Sequence, residues 1–283
     1  MRSMDTSALP QRSAPPTSFG EHLRHWRQRR RYSQMDLAHV AEVSTRHLSC
    51  VETGRASPSR EMVLRLVERL DVPLRERNAW LVAAGFAPMY RARPLDDPGM
   101  ASARAAVQRI LDCHEPWPAL AMDRHWNLVM HNRLVPLLLD GAAPALLQGT
   151  VNVLRLSLHP QGLAPRIANL RQWREHLFER LRQQIRATGD AVLVALLEEL
   201  KAYPEASADA PGAAAVELPG EHPGVLMPFQ FHTPHGVLQL VSTTTVFGSP
   251  VDITLQELAM ETFFPADDAS AAVLRALLDA VSA

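Results

Sequence analysis

The sequence predicts a two-part chain of mixed class: an all-α front unit of five short helices, then an α+β domain built on an antiparallel sheet. Three observations carry this. Up to residue 86, apolar residues recur at three- and four-residue steps in five segments with capping residues at their starts. Beyond residue 100, two strand-like runs come first, several helical stretches follow, and three more strand-like runs close the pattern. The charge divides at the same place, with sixteen basic and nine acidic side chains through residue 93, and thirteen against twenty-one after it. A basic front and an acidic back suit a nucleic-acid reader joined to a domain that avoids nucleic acid. Lys201 is the only lysine, so genomic composition is a second source of the arginine excess.

The 283 residues suffice for two domains. No apolar run reaches the roughly 18 residues that span a bilayer, and residues 1–16 lack the apolar core of a secretory signal. The expectation is a cytoplasmic protein with a disordered arm over 1–17, a helical domain over 18–87, a linker over 88–99 and a second domain over 100–283. Cys50 and Cys113 lie in separate segments and read as small packing residues rather than a disulfide. His222, His232 and His235 are loosely clustered, but no His-x3-His or Cys-x2-Cys spacing accompanies them, so no metal site is predicted.

In order along the chain, Ser18 caps a first helix with Glu21 as its capping-box partner, and Phe19, Leu23 and Trp26 form its inner face. Arg29, Arg30 and Arg31 give that helix a basic end, useful beside phosphates. Ser33 caps a second helix, with Asp36 at its third position and Leu37, Ala38 and Ala41 inward. Val43 seals a tight turn. Ser44 caps a third helix whose inner residues are Leu48 and Val51, which turns Thr45, Arg46, His47, Ser49 and Cys50 outward to differing degrees. Gly54 ends it as a left-handed cap. Pro58-Ser59 opens a fourth helix, and Leu74–Ala84 makes a fifth. Two short helices with a tight turn between them, the second polar on its outer side, have the layout of a helix-turn-helix that enters the DNA major groove.

In the back half, Met100–Cys113 is helical through Ala103, Val107, Ile110 and Leu111. Ala119–Met122 and Trp126–Met130 read as a hairpin across Asp123-Arg124-His125. Asn132 caps a helix through Val135, Leu138 and Leu139, and Asn152–Leu156 is a short ordered run. Pro165–Thr188 is helical through Ile167, Leu170, Trp173, Leu177, Leu181 and Ile185, and another helix runs from Ala191 to Tyr203. Ala206–Gly220 reads as a mobile loop. Strands follow at Val225–Thr233, Val237–Thr244 and around Leu258–Phe263, with a turn at Thr233-Pro234-His235-Gly236. Asp268–Ser282 closes the chain as a helix. Helices covering one face of a five-stranded sheet leave room for a cavity.

Gln34-x2-Leu37-Ala38, Val43-Ser44-x3-Leu48-Ser49-x2-Glu52-x-Gly54-Arg55 and Pro58-Ser59 resemble the phage Cro/repressor class of helix-turn-helix proteins, the xenobiotic-response-element regulators. The resemblance implies a five-helix lambda-repressor-like domain. It places Gln34 against a phosphate or base and Thr45 and Arg46 at the first base-reading positions. It pairs Arg27 with Glu52 in a partly buried salt bridge. Cys50 falls where a polar reader is usual, which departs from the class. The DNA-binding set is then Gln34, Ser44, Thr45, Arg46, His47 and Arg55. Arg46 can take a guanine bidentately or a phosphate. A five-helix module for protein contact is the competing reading; the basic balance and the polar outer side of the third helix argue against it.

Further along, Pro118-Ala119, Trp126-Asn127-x4-Asn132, Asn152-x2-Arg155-x3-His159-Pro160 and Arg166-x2-Asn169-x3-Trp173 resemble the ligand-binding domain of the MmyB-like (methylenomycin-regulator-like) transcription regulators. Gly189-Asp190, Phe247-Gly248-Ser249-Pro250, Glu257-Leu258-x2-Glu261 and Phe263–Asp267 extend the resemblance. It implies a PAS-like α+β fold that takes a small apolar ligand such as a fatty acid. Trp126, Trp173, Phe178, Phe229, Phe231 and Leu240 are candidates to line an apolar tube, or are plain core. Asn132, Arg155, His159 and Asn169 are candidates to meet a head group. For Arg155 the alternative is a structural pair with Glu257 or Glu261.

The leading expectation is a dimeric one-component regulator, since half-sites one helical turn apart need two readers. Its partners are an operator duplex, a small apolar ligand and a second copy; no membrane partner and no cofactor beyond that ligand are expected. The alternative is a ligand-free dimerisation or protein-contact domain on the same reader. An enzyme finds no support: Gly-x-Ser-x-Gly, a phosphate loop and metal-ligand pairs are missing, and Asp267-Asp268 and Glu198-Glu199 read as solvated faces.

Overall fold

The computed structural model describes residues 18–204, 227–248 and 252–282. The predicted arm, the Ala206–Gly220 loop, His222 and the first residues of the strand expected from Val225 lie outside them. The described residues fall into two compact units. One runs to Ala92 and takes in Asp252 and Ile253; the other begins at Arg93. The second unit is therefore not one unbroken stretch of chain.

The front unit has five helices: α1 Phe19–Arg29, α2 Gln34–Val40, α3 Thr45–Glu52, α4 Arg60–Arg69 and α5 Leu74–Ala83. Ser18 with Glu21 and Ser33 with Asp36 form complete capping boxes, and Ser44 and Ser59 accept from backbone N–H groups at the starts of α3 and α4. Leu23, Leu37, Leu48, Val63 and Leu66 have no exposed surface and form the centre of the core with Trp26 and Trp80. Gly20 permits the crossing of α1 over α3, because a Cβ there would stand 2.3 Å from the Glu52 carbonyl oxygen. Gly54 takes a φ of +75° after α3. The segment expected to be a linker is tied down at its start. The Asn78 side chain accepts from the Met89 and Tyr90 N–H groups and donates to the Tyr90 carbonyl.

In the back unit, α6 Ala101–Cys113 precedes β1 Ala119–Met122 and β2 Leu128–His131. The helices α7 Leu134–Leu138, α8 Val153–Leu158, α9 Leu170–Thr188 and α10 Ala191–Lys201 follow. Then come β3 Pro228–Thr233, β4 Gly236–Val246, α11 Ile253–Gln256 (whose first residue belongs to the front unit), β5 Ala259–Pro265 and α12 Asp268–Ser282. The strands form one antiparallel sheet in the order β2-β1-β5-β4-β3, which is the PAS-like α+β arrangement. Register sets its faces. Leu120 pairs with Glu261, Glu261 with Thr244, Leu240 with Phe229 and Leu238 with Phe231. These cross-strand neighbours share one side of the sheet.

Several local expectations need correction. Helices do not cover one sheet face alone: Ala119 and Ala121 pack with Val107 and Leu111 of α6, while Met122 belongs to the main core with α8, α9 and α10. Alternation along a doubly covered strand makes both sets apolar. Ile110 is 43% exposed, because Val107 and Leu111 already fill the buried stripe of α6. Trp126 is not in a strand; it sits in the turn with a φ of +67°. Asp123 holds that turn by accepting from His125 and Asn127. Ile167 lies outside α9 and bridges to Phe231 instead. Asn132 accepts the Leu134 N–H beside the start of α7, while Arg133 occupies the cap itself. Cys113 is exposed and Cys50 half-buried, both as free thiols.

Candidate nucleic-acid interface and ligand pocket

The helix-turn-helix presents a defined outer surface. On α3, Leu48, Val51 and Glu52 are buried while Thr45, Arg46 and His47 are exposed, as are Ser44 before it and Arg55 after it. The Ser44 hydroxyl accepts the His47 N–H at 3.1 Å, so it fixes the start of the reader while its own proton remains available. Glu42 takes a φ of +54° in the turn, and Arg65 of α4 donates to the carbonyls of Ala41 and Glu42.

Beneath this surface lies a charged lock. Arg27 Nε and Nη2 donate to the two Glu52 carboxylate oxygens at 2.9 and 2.7 Å, and Arg24 Nε adds a third bond at 3.1 Å. Burial raises the Glu52 pKa, but the bonds from Arg27 and Arg24, the Arg27 charge and a bond from Gln34 outweigh it and hold the carboxyl below its ordinary range. Gln34 is thereby oriented by the lock and remains half exposed at the start of α2. Arg24 and Gln34 were not part of the expected pair; a buried carboxylate with more lone pairs than one guanidinium can fill was the available signal. Arg30 is not available to phosphates in the way expected. Its guanidinium donates to the Leu70 and Asp71 carbonyls at the end of α4.

In the back unit, α7, α8, α9 and the sheet line an apolar cavity of about 110 Å³. Its wall includes Trp126, Leu154, Trp173, Leu177, Phe229 and Phe231. The Phe229 ring lies 4.8 Å from Trp173 and 5.5 Å from Phe231, between centroids. Four of the predicted aromatic and aliphatic lining residues are thus brought together. Phe178 and Leu240 are buried core residues outside the wall.

The predicted head-group residues are elsewhere, each for a structural reason. Arg155 makes a bidentate pair with Glu199, 2.7 Å on both arms, rather than with Glu257 or Glu261. It joins α8 to α10, and Glu199, partly exposed, also accepts from the Tyr203 hydroxyl. His159 packs edge-on against Tyr203. Asn132 donates to the Leu111 and Trp117 carbonyls and accepts from Ala119. Asn169 donates to the Pro228 carbonyl and accepts from Gln230. Both amides satisfy buried backbone that would otherwise lack partners.

Among the described residues, the polar wall of the cavity is instead Ser157, Arg180 and Glu261. Arg180 of α9 donates to both Glu261 oxygens, at 2.8 and 3.0 Å, and to Thr244 at 2.8 Å. Its guanidinium lies 4.8 Å over the Trp126 ring, and the Trp126 indole N–H donates to Gln184. Ser157 accepts the Trp173 indole N–H at 3.0 Å. Sequence reasoning missed Arg180. The signal was Glu261, which alternates with Phe263 on the apolar side of β5: an inward carboxylate needs a cation. Among the described residues, no three His, Cys, Asp or Glu side chains stand close enough together to hold a metal, and no helix is long and apolar enough to cross a membrane.

No curated protein matches the chain at a significant level. Residues 18–80 match a helix-turn-helix domain, and residues 103–277 match the MmyB-like transcription regulator ligand binding domain. A DNA-binding front of exposed polar residues and a back domain with an apolar cavity agree with both matches. The chain belongs to the MmyB-like family of transcription regulators, with a helix-turn-helix reader ahead of the ligand-binding domain.

Proposed function

We propose that this is a one-component regulator that binds its operator as a dimer and is switched by a small apolar molecule held in the back domain. The observation that carries the ligand reading is the cavity wall of Trp126, Leu154, Trp173, Leu177, Phe229 and Phe231. Thr45, Arg46 and His47 read base edges, with Ser44, Gln34 and Arg55 on the flanking backbone. The chain acts by binding, not by catalysis.

The ligand carries an aliphatic chain, as a fatty acid or a derivative of one does. An engineered apolar cavity of about 150 Å³ holds benzene. At about 110 Å³ this one accepts a few carbons as it stands, and a longer chain enters by displacing leucines of the wall. The ligand then shifts the balance between DNA-competent and incompetent dimers through its different affinity for the two.

Native mass spectrometry of the full chain after exposure to a lipid extract tests this. The expected species is a dimer with one apolar adduct per chain. A chain that stays bare supports a ligand-free dimerisation domain instead, and a monomer on operator DNA removes the dimer.

A further inference from the structure

Resting on the reading of α3 as the base-reading helix, we propose that Arg65 of α4 is a positioning residue of the DNA reader. It clamps the turn between α2 and α3 and so sets the direction in which α3 starts. The helix ends of the front unit carry this inference. Three non-glycine residues there take left-handed φ values: Arg31 at +58°, Glu42 at +54° and Asp71 at +48°. Each stands directly after the C-cap of a helix, of α1, α2 and α4 in turn. The Cβ makes that conformation unfavourable for residues other than glycine.

The backbone closes these ends in one way. After α2, the Glu42 N–H donates to the His39 carbonyl at 3.2 Å and the Val43 N–H to the Ala38 carbonyl at 3.0 Å. After α4, the Asp71 N–H donates to Glu68 at 3.0 Å and the Val72 N–H to Val67 at 2.8 Å. Such paired bonds leave the carbonyls of the C-cap and of the left-handed residue without helical partners. In both places an arginine from another helix takes the two of them. Arg65 Nη1 donates to the Ala41 and Glu42 carbonyls at 3.3 and 3.4 Å, and Arg30 donates to those of Leu70 and Asp71 at 2.8 and 2.7 Å. After α1, Arg27 donates to the carbonyl of Tyr32, the residue following Arg31, at 2.9 Å. The ends of α3 and α5 supply the contrast. Their left-handed residues are Gly54 and Gly85, and among the described residues no arginine side chain bonds the carbonyls of Thr53, Gly54, Ala84 or Gly85. An arginine therefore braces each end that a side chain strains.

The α2 end bears on the reader because Glu42 comes two residues before Ser44, the N-cap of α3. A change of φ at Glu42 turns the chain that follows it, and Thr45, Arg46 and His47 with it. The Glu52 lock holds the far end of α3; Arg65 holds the near end. Without the clamp the turn leaves its left-handed state part of the time, and apparent operator affinity falls with the fraction of chains whose reader is correctly set.

The test measures operator affinity by fluorescence anisotropy, on a genomic fragment selected by the full chain, at fixed salt and at a temperature where melts show the variants folded. Arg65→Met keeps the apolar stem and removes the donors. It should weaken operator binding by about five- to tenfold, the scale of the penalty on one left-handed non-glycine residue. Glu42→Gly removes that penalty, whereas Glu42→Gln removes the same charge and keeps the penalty. With Glu42→Gly in place, Arg65→Met should change affinity by less than about twofold, and with Glu42→Gln in place it should cost as much as in the parent. Equal losses in the two backgrounds would make Arg65 a phosphate contact and overturn the clamp. Unchanged operator affinity with only a lowered melting temperature would overturn it too. If Arg65→Met alone does not fold, folding must return with Glu42→Gly and not with Glu42→Gln; its return with both or with neither overturns the clamp. A parent chain that selects no genomic fragment removes the reader itself, and the role of Arg65 with it.

Discussion

Arg27 and Glu52 meet in a fork, Nε on Oε2 at 2.9 Å and Nη2 on Oε1 at 2.7 Å, with the Glu52 side chain 1% exposed. The pair fastens α1 to the end of α3. Gly20 brings the backbones of those helices close enough for it to form. The orientation of Arg46 toward solvent follows, since it is carried on the helix that the fork holds in place.

Glu52→Ala should destabilise the front unit by about 3–5 kcal/mol, the usual cost of stranding one partner of a buried ion pair. Thermal melts of the full chain would show it as a lowered first transition. A melting curve unchanged from the parent would mean that the fork contributes little to stability.

Acid should act through the same residue. The Glu52 pKa is held below its ordinary value in the fold, so its contribution is present above the unfolded-state pKa and is lost as pH falls through the folded one. Glu52→Gln should flatten the decline in melting temperature below pH 5. A decline of equal steepness in both proteins would assign acid sensitivity to other carboxylates.

Arg46→Ala should lose sequence discrimination at one base pair, roughly 1–3 kcal/mol if it reads a guanine, with melting unchanged because the residue is exposed. Footprints compared across operator variants separate the cases. Uniform weakening on all sequences, with a smaller dependence on salt, would make Arg46 a phosphate contact. Gln34→Ala should weaken footprinting on all sequences alike, as the loss of a backbone contact does. Its bond to Glu52 predicts a small loss of stability as well.

Tyr203 should titrate late. Its pKa is pushed up to about 12 by burial and by the hydrogen bond it donates to Glu199. The neutral phenol therefore contributes stability below the unfolded-state value, and that contribution is lost as pH rises through about 12. Alkaline difference spectra of the parent and Tyr203→Phe would isolate this step. Loss of a component titrating near the ordinary tyrosine value would contradict the Glu199 contact.

The front unit was almost wholly legible because local residues write it. Ser33 with Asp36, Ser44 and Gly54 mark starts and stops within a few positions of the atoms they satisfy. Gly20 was not, since nothing near it in the chain announces that α3 will pass over it. The back unit was legible as a pattern of elements, and in its aromatic wall. The polar end of the cavity was not. Arg180 and Glu261 are 81 positions apart, and each looks like an ordinary surface charge until β5 alternation turns Glu261 inward. Asn132 and Asn169 misled for the opposite reason. A buried amide looks the same in sequence whether it serves a ligand or the backbone, and here it serves the backbone.

The central claim, that occupancy of the back cavity controls the reader, is tested most directly by filling the cavity from within. Operator affinity of the full chain, on a genomic fragment selected by that chain, would be measured with and without octanoic acid in the parent and in Leu177→Trp, whose larger ring takes up the space. The account predicts a shift in operator affinity with octanoic acid in the parent and none in the filled variant. An equal shift in both, or none in the parent despite bound octanoic acid, would contradict it.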